Sequence, residues 1–456
     1  MTPRYNQLIK VKFLVLFVAV TLLGLSFFGT GKSVHASRVG PDPSYTNVPA
    51  LGTFPAESNC TTCHFTGGSN PLNASGGTFQ ILDAPASYNP GQEYTIKVSL
   101  SRTGIVRFGF QITALDESGN PAGTLTATDT TRTQKIQGDP FSVLKDRFYI
   151  EHTTTGSAAV SSGLGEWTFK WTAPATRGGK ITFYASGNAA NNLSNQTGDF
   201  IYTTTAVMRP NVVSVNAASS DPTPKASNSG ISSAYGVDLA TAIATASGDA
   251  DPNTPGIQLP TTLNGTTVKV RDSLNVERNA TLFFVSPNQV NYLLPSLMAN
   301  GNATVTITSG NGAVSTGTLP IATVAPGIFT VNQGGTGLAA AQIQRVRNGN
   351  TIAYEDVATG PVASPVAIPI EWKDPGDQLY LIIYGTGFRQ RSDLSTVVVT
   401  VKGASQQVVY TAGHADYAGL DQINVLLDKA LAGSGEVNVT LTVEGVAANT
   451  VKINFK

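Results

Sequence analysis

The sequence predicts an all-β chain built from three consecutive β-sandwich domains. Three observations predict it. Apolar and polar residues alternate with period two through the region after the first 73 residues, between Gly, Pro and Asn punctuation. No helical stripe of useful length appears there. Further on, one sandwich-sized order of landmarks occurs twice. Composition agrees: only 13% of residues are charged, so Thr, Ser and Asn rather than ions must cover the solvent faces. A length of 456 residues suggests about two to four domains.

Residues 1–36 read as a secretory signal peptide. Arg4, Lys10 and Lys12 precede the apolar run Phe13 to Phe28, and Val34-His35-Ala36 offers a small-residue cleavage site before Ser37. The run is short for a membrane span. Cleavage leaves 25 basic against 29 acidic residues, a net charge of −4, so no nucleic-acid or anionic-membrane partner is expected, and no membrane span. The expected location is the periplasm, the cell surface or the medium.

Residues 37–73 are rich in Pro, Gly, Ser and Asn and have no core-forming periodicity, so they read as an extended segment. Residues 74–210 read as the first sandwich. Tyr94, Ile96, Val98 and Leu100 alternate in one strand, and Phe108, Phe110 and Ile112 in another. Trp167, Phe169 and Trp171 follow, then Ile181, Phe183 and Ala185. The polar stretch Asn216 to Gly230 is a linker or an opening loop. Residues 211–330 and 331–456 are then two copies of one unit. AYGVDLA from Ala234 answers IYGTGFR from Ile383, and SPNQVNYLLP from Ser286 answers GLDQINVLLD from Gly419. A valine-rich strand follows each.

The two cysteines of the whole chain are Cys60 and Cys63, and His64 follows them. Cys-x-x-Cys-His is the attachment sequence of c-type haem. Two thiols at this spacing reach the two vinyl groups on one edge of the macrocycle, and the adjacent imidazole becomes the proximal iron ligand. One covalent haem is therefore expected, on Cys60 and Cys63, with His64 on the iron. Other uses stay open: a Cys60–Cys63 disulfide, or free thiols. A structural zinc site lacks a fourth ligand. For the sixth iron position the candidates are His152, in YIEHTTTG, and Met208, or an open position; His414 lies far away in sequence.

The segments NCTTCH, YNPGQEYTIKV, GFQITAL, YIEHTTTG, WTFKWTAP and ITFYASGNAANN…GDFIYTTT resemble the bacterial choice-of-anchor V domain family, which is similar to the reeler domain of extracellular proteins. The resemblance covers about Asn59 to Thr205 and implies a β-sandwich with an N-terminal Cys-x-x-Cys-His. Cys60, Cys63, His64 and His152 match the family's pattern. Its members are anchored at cell surfaces by varied C-terminal devices, and VKINFK at the end of this chain shows none of them. From about Val212 to Lys456 the chain resembles an uncharacterised C-terminal domain family of large bacterial secreted proteins, through YGVDLA, LPTTLNGTTVKV, LFFVSPNQVNYLLP, APGIFT, IYGTGF and YAGLDQINVLLD. That resemblance implies immunoglobulin-like or TIG-like sandwiches and no assigned activity.

Other signals are discounted. GTGKS (Gly29 to Ser33) lacks the first glycine of a phosphate-binding loop. DADPNTPG (Asp249 to Gly256) has Pro260 where a calcium loop needs Glu. The Asn-rich GNAANNLSNQTGD reads as a turn. No hydrolase elbow appears and no catalytic residue is assigned. The expected function is electron transfer or haem-linked sensing at the cell envelope, with a redox partner protein or cell-surface component. The competing reading is a surface adhesion or matrix protein in which Cys60 and Cys63 form a disulfide clip. An enzyme using haem with an open sixth position is a third.

Overall fold

A computed structural model describes residues 37–456 apart from 65–71, 177, 194–196, 222–224 and 248–258. The signal-peptide reading and the DADPNTPG stretch lie outside the described residues. The protein is all-β: among the described residues the only helical pieces are three single 3-10 turns. No helix among them is long and apolar enough to cross a membrane.

Among the described residues ten strands lie between Gly77 and Pro210: β1 (Gly77–Leu82), β2 (Ser87–Tyr88), β3 (Glu93–Arg102), β4 (Arg107–Asp116), β5 (Thr124–Thr126), β6 (Thr133–Gln137), β7 (Phe148–His152), β8 (Leu164–Thr172), β9 (Ile181–Ala190) and β10 (Phe200–Pro210). They form a four-stranded sheet, β1-β3-β8-β5, facing a six-stranded sheet, β2-β10-β9-β4-β7-β6. Period-two patterning decides which faces meet. In β8, Trp167, Phe169 and Trp171 are buried while Thr168 is exposed. Trp167 stacks on Phe110 of the opposite sheet at 4.4 Å between ring centroids, and Trp171 meets Phe183 edge-on at 5.4 Å. Both indole N–H groups are satisfied, Trp167 by the Gly156 carbonyl at 2.9 Å and Trp171 by that of Ala122 at 2.8 Å. Burial of these rings therefore leaves no orphan donor.

Residues 37–64 lie against the outer side of the six-stranded sheet, held by polar contacts rather than a core. Gln111 of β4 accepts from the Tyr45 N–H at 2.8 Å and donates to the Asp42 carbonyl at 3.0 Å. Glu57 reaches a fully buried Arg147 at 2.6 Å and accepts from the Tyr149 hydroxyl at 2.7 Å; Thr46 donates to its other oxygen. Gly40, at φ +114°, is forced: a Cβ there would lie 2.3 Å from the Glu151 carboxylate.

Two further cores follow. One runs from Val212 to Ile321, between a five-stranded and a six-stranded sheet. The other, from Val324 to Phe455, is enclosed by a single ten-stranded sheet. That sheet covers both sides because the strand Ala404–Gly413 pairs first with Val397–Val401 and then, further along, with Asp421–Leu426. The stretch from Asn216 to Gly230 contributes Ala226–Ser227 as a short edge strand. The two landmark sets of the repeat occupy matching registers: Tyr235 pairs with Gln289, and Tyr384 pairs with Gln422.

Candidate functional site

The site begins with a local turn. Asn59 caps a 3-10 turn, Cys60–Thr62, by accepting from the Thr61 N–H, and the His64 N–H closes on the Cys60 carbonyl at 3.0 Å. The turn puts Cys60, Cys63 and His64 on one wall of a cavity of about 590 Å³. Strands β4, β7 and β9 supply other walls, including Phe108, Gly109, His152 and Asn188. Sheet register explains the convergence. Gly109 pairs with Asn188 across β4 and β9, and β7 ends at His152 beside Phe110.

Both cysteines are free thiols and both are buried. Cys60 Sγ accepts from the Ser186 hydroxyl at 3.1 Å, and Ser186 Oγ accepts from the Cys60 N–H at 3.2 Å. Burial pushes the Cys60 thiol up to about 11 against the opposing Ser186 bond, and burial followed by Asp42 raises Cys63. Both are thus protonated near neutral pH.

His64 is held through Nδ1, 2.5 Å from Asp199 Oδ2 and 3.0 Å from Asn188 Nδ2. Asp199 is itself buried and pinned by Asn188 and by the Asn191 N–H. Burial alone would raise its carboxyl, but the bonds from His64, Asn191 and Asn188 outweigh that and hold it below the usual range. A carboxylate on Nδ1 fixes ring orientation and tautomer, leaving Nε2 with its lone pair outward.

His152 sits against the Phe110 backbone. Its Nδ1 lies 3.2 Å from both the N–H and the carbonyl of Phe110, so either tautomer is satisfied at that atom. Donation to the carbonyl leaves Nε2 unprotonated, the form a metal takes. Burial first, opposed by the Phe110 carbonyl and assisted by the nearby His64, pushes the imidazole down to about 4. Gly109 makes room for the ring, since a Cβ there would stand 2.8 Å from His152 Cε1. Neither histidine Nε2 has a hydrogen-bond partner among the described residues.

The structure therefore brings Cys60, Cys63, His64 and His152 to one cavity. Met208 does not join them; it is fully buried in the core between the sheets. His414 packs near Tyr417 and Tyr384 in the last sheet. Asp199, Asn188, Gly109 and Arg107 were not singled out from the sequence. Asp199 lies in the Asn-rich GNAANNLSNQTGD stretch, whose lone acid two residues after Thr197 was the available signal. Among the described residues no group of three or more His, Cys, Asp or Glu side chains is arranged to hold a bare metal ion. A macrocycle asks less of the protein, because the porphyrin supplies four of the iron's ligands. The donor set present, two thiols and two imidazoles around one cavity, fits such a group.

No family model matches the chain, and no curated protein matches it. Among solved structures it is similar to the Reelin-N domain of F-spondin, at 18% identity and a TM-score of 0.21, covering 33% of this chain and 94% of that one. It is similar to the human F-spondin reeler domain at 20% identity and 0.20, covering 29% and 91%. The sixth cohesin of scaffoldin B from Acetivibrio cellulolyticus gives 13% and 0.18, covering 28% and 98%. Scores this low transfer neither site nor activity.

Proposed function

We propose that the cavity holds one haem, attached covalently through Cys60 and Cys63, and that the protein carries electrons or senses redox state outside the cytoplasm. The observation that carries this reading is that the histidine of Cys-x-x-Cys-His and the remote His152 line one cavity, each with Nε2 unpartnered among the described residues. The volume is within the range of cofactor pockets, roughly 300–1,000 Å³. When bound, the haem supplies a one-electron Fe(III)/Fe(II) couple.

The chain's own residues have definable tasks. Asp199 orients His64 and would raise its basicity as an iron ligand by accepting from Nδ1–H, and Asn188 holds that carboxylate by donating to Oδ2. His152 would hold the iron through Nε2, with the Phe110 carbonyl accepting a hydrogen bond from its Nδ1–H. A bis-histidine pair favours a lower potential than a His/Met pair. Phe108 gives the cavity an apolar wall, and Arg107 lines it without an acidic partner among the described residues, available to the carboxylates of the macrocycle. Secretion through the expected signal peptide suits covalent attachment, which prevents loss of the cofactor by dilution. The two C-terminal cores act as spacers and interaction surfaces in this reading.

The test is to export the protein from a host equipped for haem attachment and record its spectrum. A Soret band that survives denaturation and acid-acetone extraction is expected, with low-spin bands that turn high-spin in His152→Ala. Low-spin bands unchanged in that variant remove His152 as a ligand. Absence of covalent haem from the parent overturns the proposal and leaves the pair as a structural clip.

A further inference from the structure

Away from the cavity, a set of surface side chains repeats where core packing does not require it. Tyr235, at the end of the strand Ile231–Tyr235, stands opposite Gln289, and Asn291 stands opposite Phe284 on the other flank. In the last sheet Tyr384 stands opposite Gln422, and Asn424 opposite Tyr410. Each copy carries a β-bulge just before its second aromatic, between Leu282 and Phe284 and between Val408 and Tyr410. Bulges re-aim the side chains beside them. The amides alternate with buried Val290 and Tyr292 in one copy and Ile423 and Val425 in the other, so they occupy the face away from the core.

The amide pair is the same in the two patches, while Tyr384 in the second also donates to Gln342 Oε1 at 3.1 Å and lies beside His414. Gln289 Nε2 donates to Asn291 Oδ1 at 2.9 Å, and Gln422 Nε2 to Asn424 Oδ1 at 2.7 Å. Each pair then presents a Gln carbonyl oxygen beside an Asn amide N–H, both without a partner among the described residues. The flanking aromatics are two strands apart and offset by two residues, about 12 Å on ideal sheet spacings. A vicinal diol matches this arrangement: one hydroxyl donates to the Gln oxygen and its neighbour accepts from the Asn nitrogen. Aromatic faces on either side cover the C–H edges of sugar rings. The paired residues of both patches include no lysine or arginine, and the titratable base near them is His414 beside Tyr384, so a polyanion gains little there, and an apolar segment would leave the amides unpaired. Between the patches the two sheets are tied together: the Ile231 N–H donates to Thr386 Oγ1 at 2.9 Å, which donates to the Gly419 carbonyl at 2.7 Å.

We infer that these two patches bind a neutral polysaccharide, one patch per repeat, both engaging one polymer chain. The inference is independent of the haem reading. It is tested by electrophoresis of the full chain in native gels containing a soluble β-glucan, α-glucan, xylan or mannan, with polygalacturonate as the anionic comparison. Retardation by at least one neutral polymer is expected. Tyr235→Ala or Tyr384→Ala alone should weaken it by about 100-fold through lost bivalency, and the double variant should migrate as in a blank gel. Gln289→Met/Gln422→Met keeps the side-chain length and removes the amides; it should lose retardation while its circular dichroism and melting stay those of the parent. The proposal is overturned if no neutral polymer retards the protein, if only polygalacturonate does, or if the Gln→Met variant binds like the parent. Self-association in sedimentation that disappears in that variant also overturns it, assigning the patches to a second copy of the chain.

Discussion

Removing the carboxylate of Glu57 should release the segment that carries Cys60, Cys63 and His64. Among the described residues Glu57 is the only acid bonded to Arg147, whose guanidinium is 1% exposed and otherwise donates to the Gly119 carbonyl at 3.2 and 2.9 Å. Glu57→Ala leaves that cation buried without a counter-charge and strands the Thr46 hydroxyl, while Tyr149 keeps Ser44 at 3.0 Å as a partner. Breaking one side of a buried pair costs about 3–5 kcal/mol. The cost falls on docking of residues 37–64, because Arg147 directly precedes β7 and is held to the Gly119 carbonyl, outside the docked segment. At 1.36 kcal/mol per decade, local opening should become about 10²–10⁴-fold more frequent. The assay is the rate at which a thiol reagent modifies Cys60 and Cys63 in haem-free protein. Cys60 is buried and protonated in the docked state, so its modification reports opening. Arg147→Met placed on top of Glu57→Ala should recover most of the loss, since an apolar side chain of similar length removes the uncompensated charge. Thiol rates unchanged in Glu57→Ala would falsify the idea that this ion pair docks the segment.

Other outcomes follow from the same structure. Trp171→Ala should destabilise the first core by about 3–5 kcal/mol, because the ring is fully buried against Phe183, Tyr88 and Tyr94; a melting temperature that does not fall would place that face in solvent. If the proposed haem is attached, Asp199→Asn should leave it in place and raise its midpoint potential, since His64 loses an anionic partner at Nδ1; an unchanged potential would deny Asp199 its positioning role. Bonds from Arg345, assisted by Lys373 and opposed by burial, lower the Glu355 carboxyl from 4.5 to about 2. A depressed carboxyl stabilises the fold above its unfolded value and loses that contribution as pH falls from about 4.5 towards 2. Discounted for partial exposure, about 1–3 kcal/mol should disappear between those values. Urea titrations at pH 5 and pH 3 should therefore differ less for Glu355→Gln than for the parent.

The site was half legible. Cys60, Cys63 and His64 stand out because the proposed attachment chemistry would demand a fixed local spacing, and spacing is what a sequence displays. His152 could be named only as one of a very small number of histidines and through the family resemblance of YIEHTTTG. Its partnership with His64 depends on strand order β9-β4-β7, which brings together residues far apart in the chain. Asp199 and Asn188 were hidden for another reason. Their stretch has the composition of a turn, and nothing local separates a turn carboxylate facing solvent from one aimed at an imidazole.

By itself the sequence determined that this is an all-β protein, where Trp167, Phe169 and Trp171 turn inward, and that one landmark order recurs with Tyr-Gly and Gln-x-Asn in each copy. These are consequences of period-two alternation and of repetition, both properties of a single strand or a simple comparison of two stretches. Tertiary structure alone decided that residues 37–64 dock through Glu57 and Arg147, that Gly109 is small because His152 lies over it, and that Met208 is core rather than ligand. It also decided that both copies place an aromatic at the same bulge. Each of these is set by cross-strand register, and a shift of one residue in that register would turn every side chain to the opposite face.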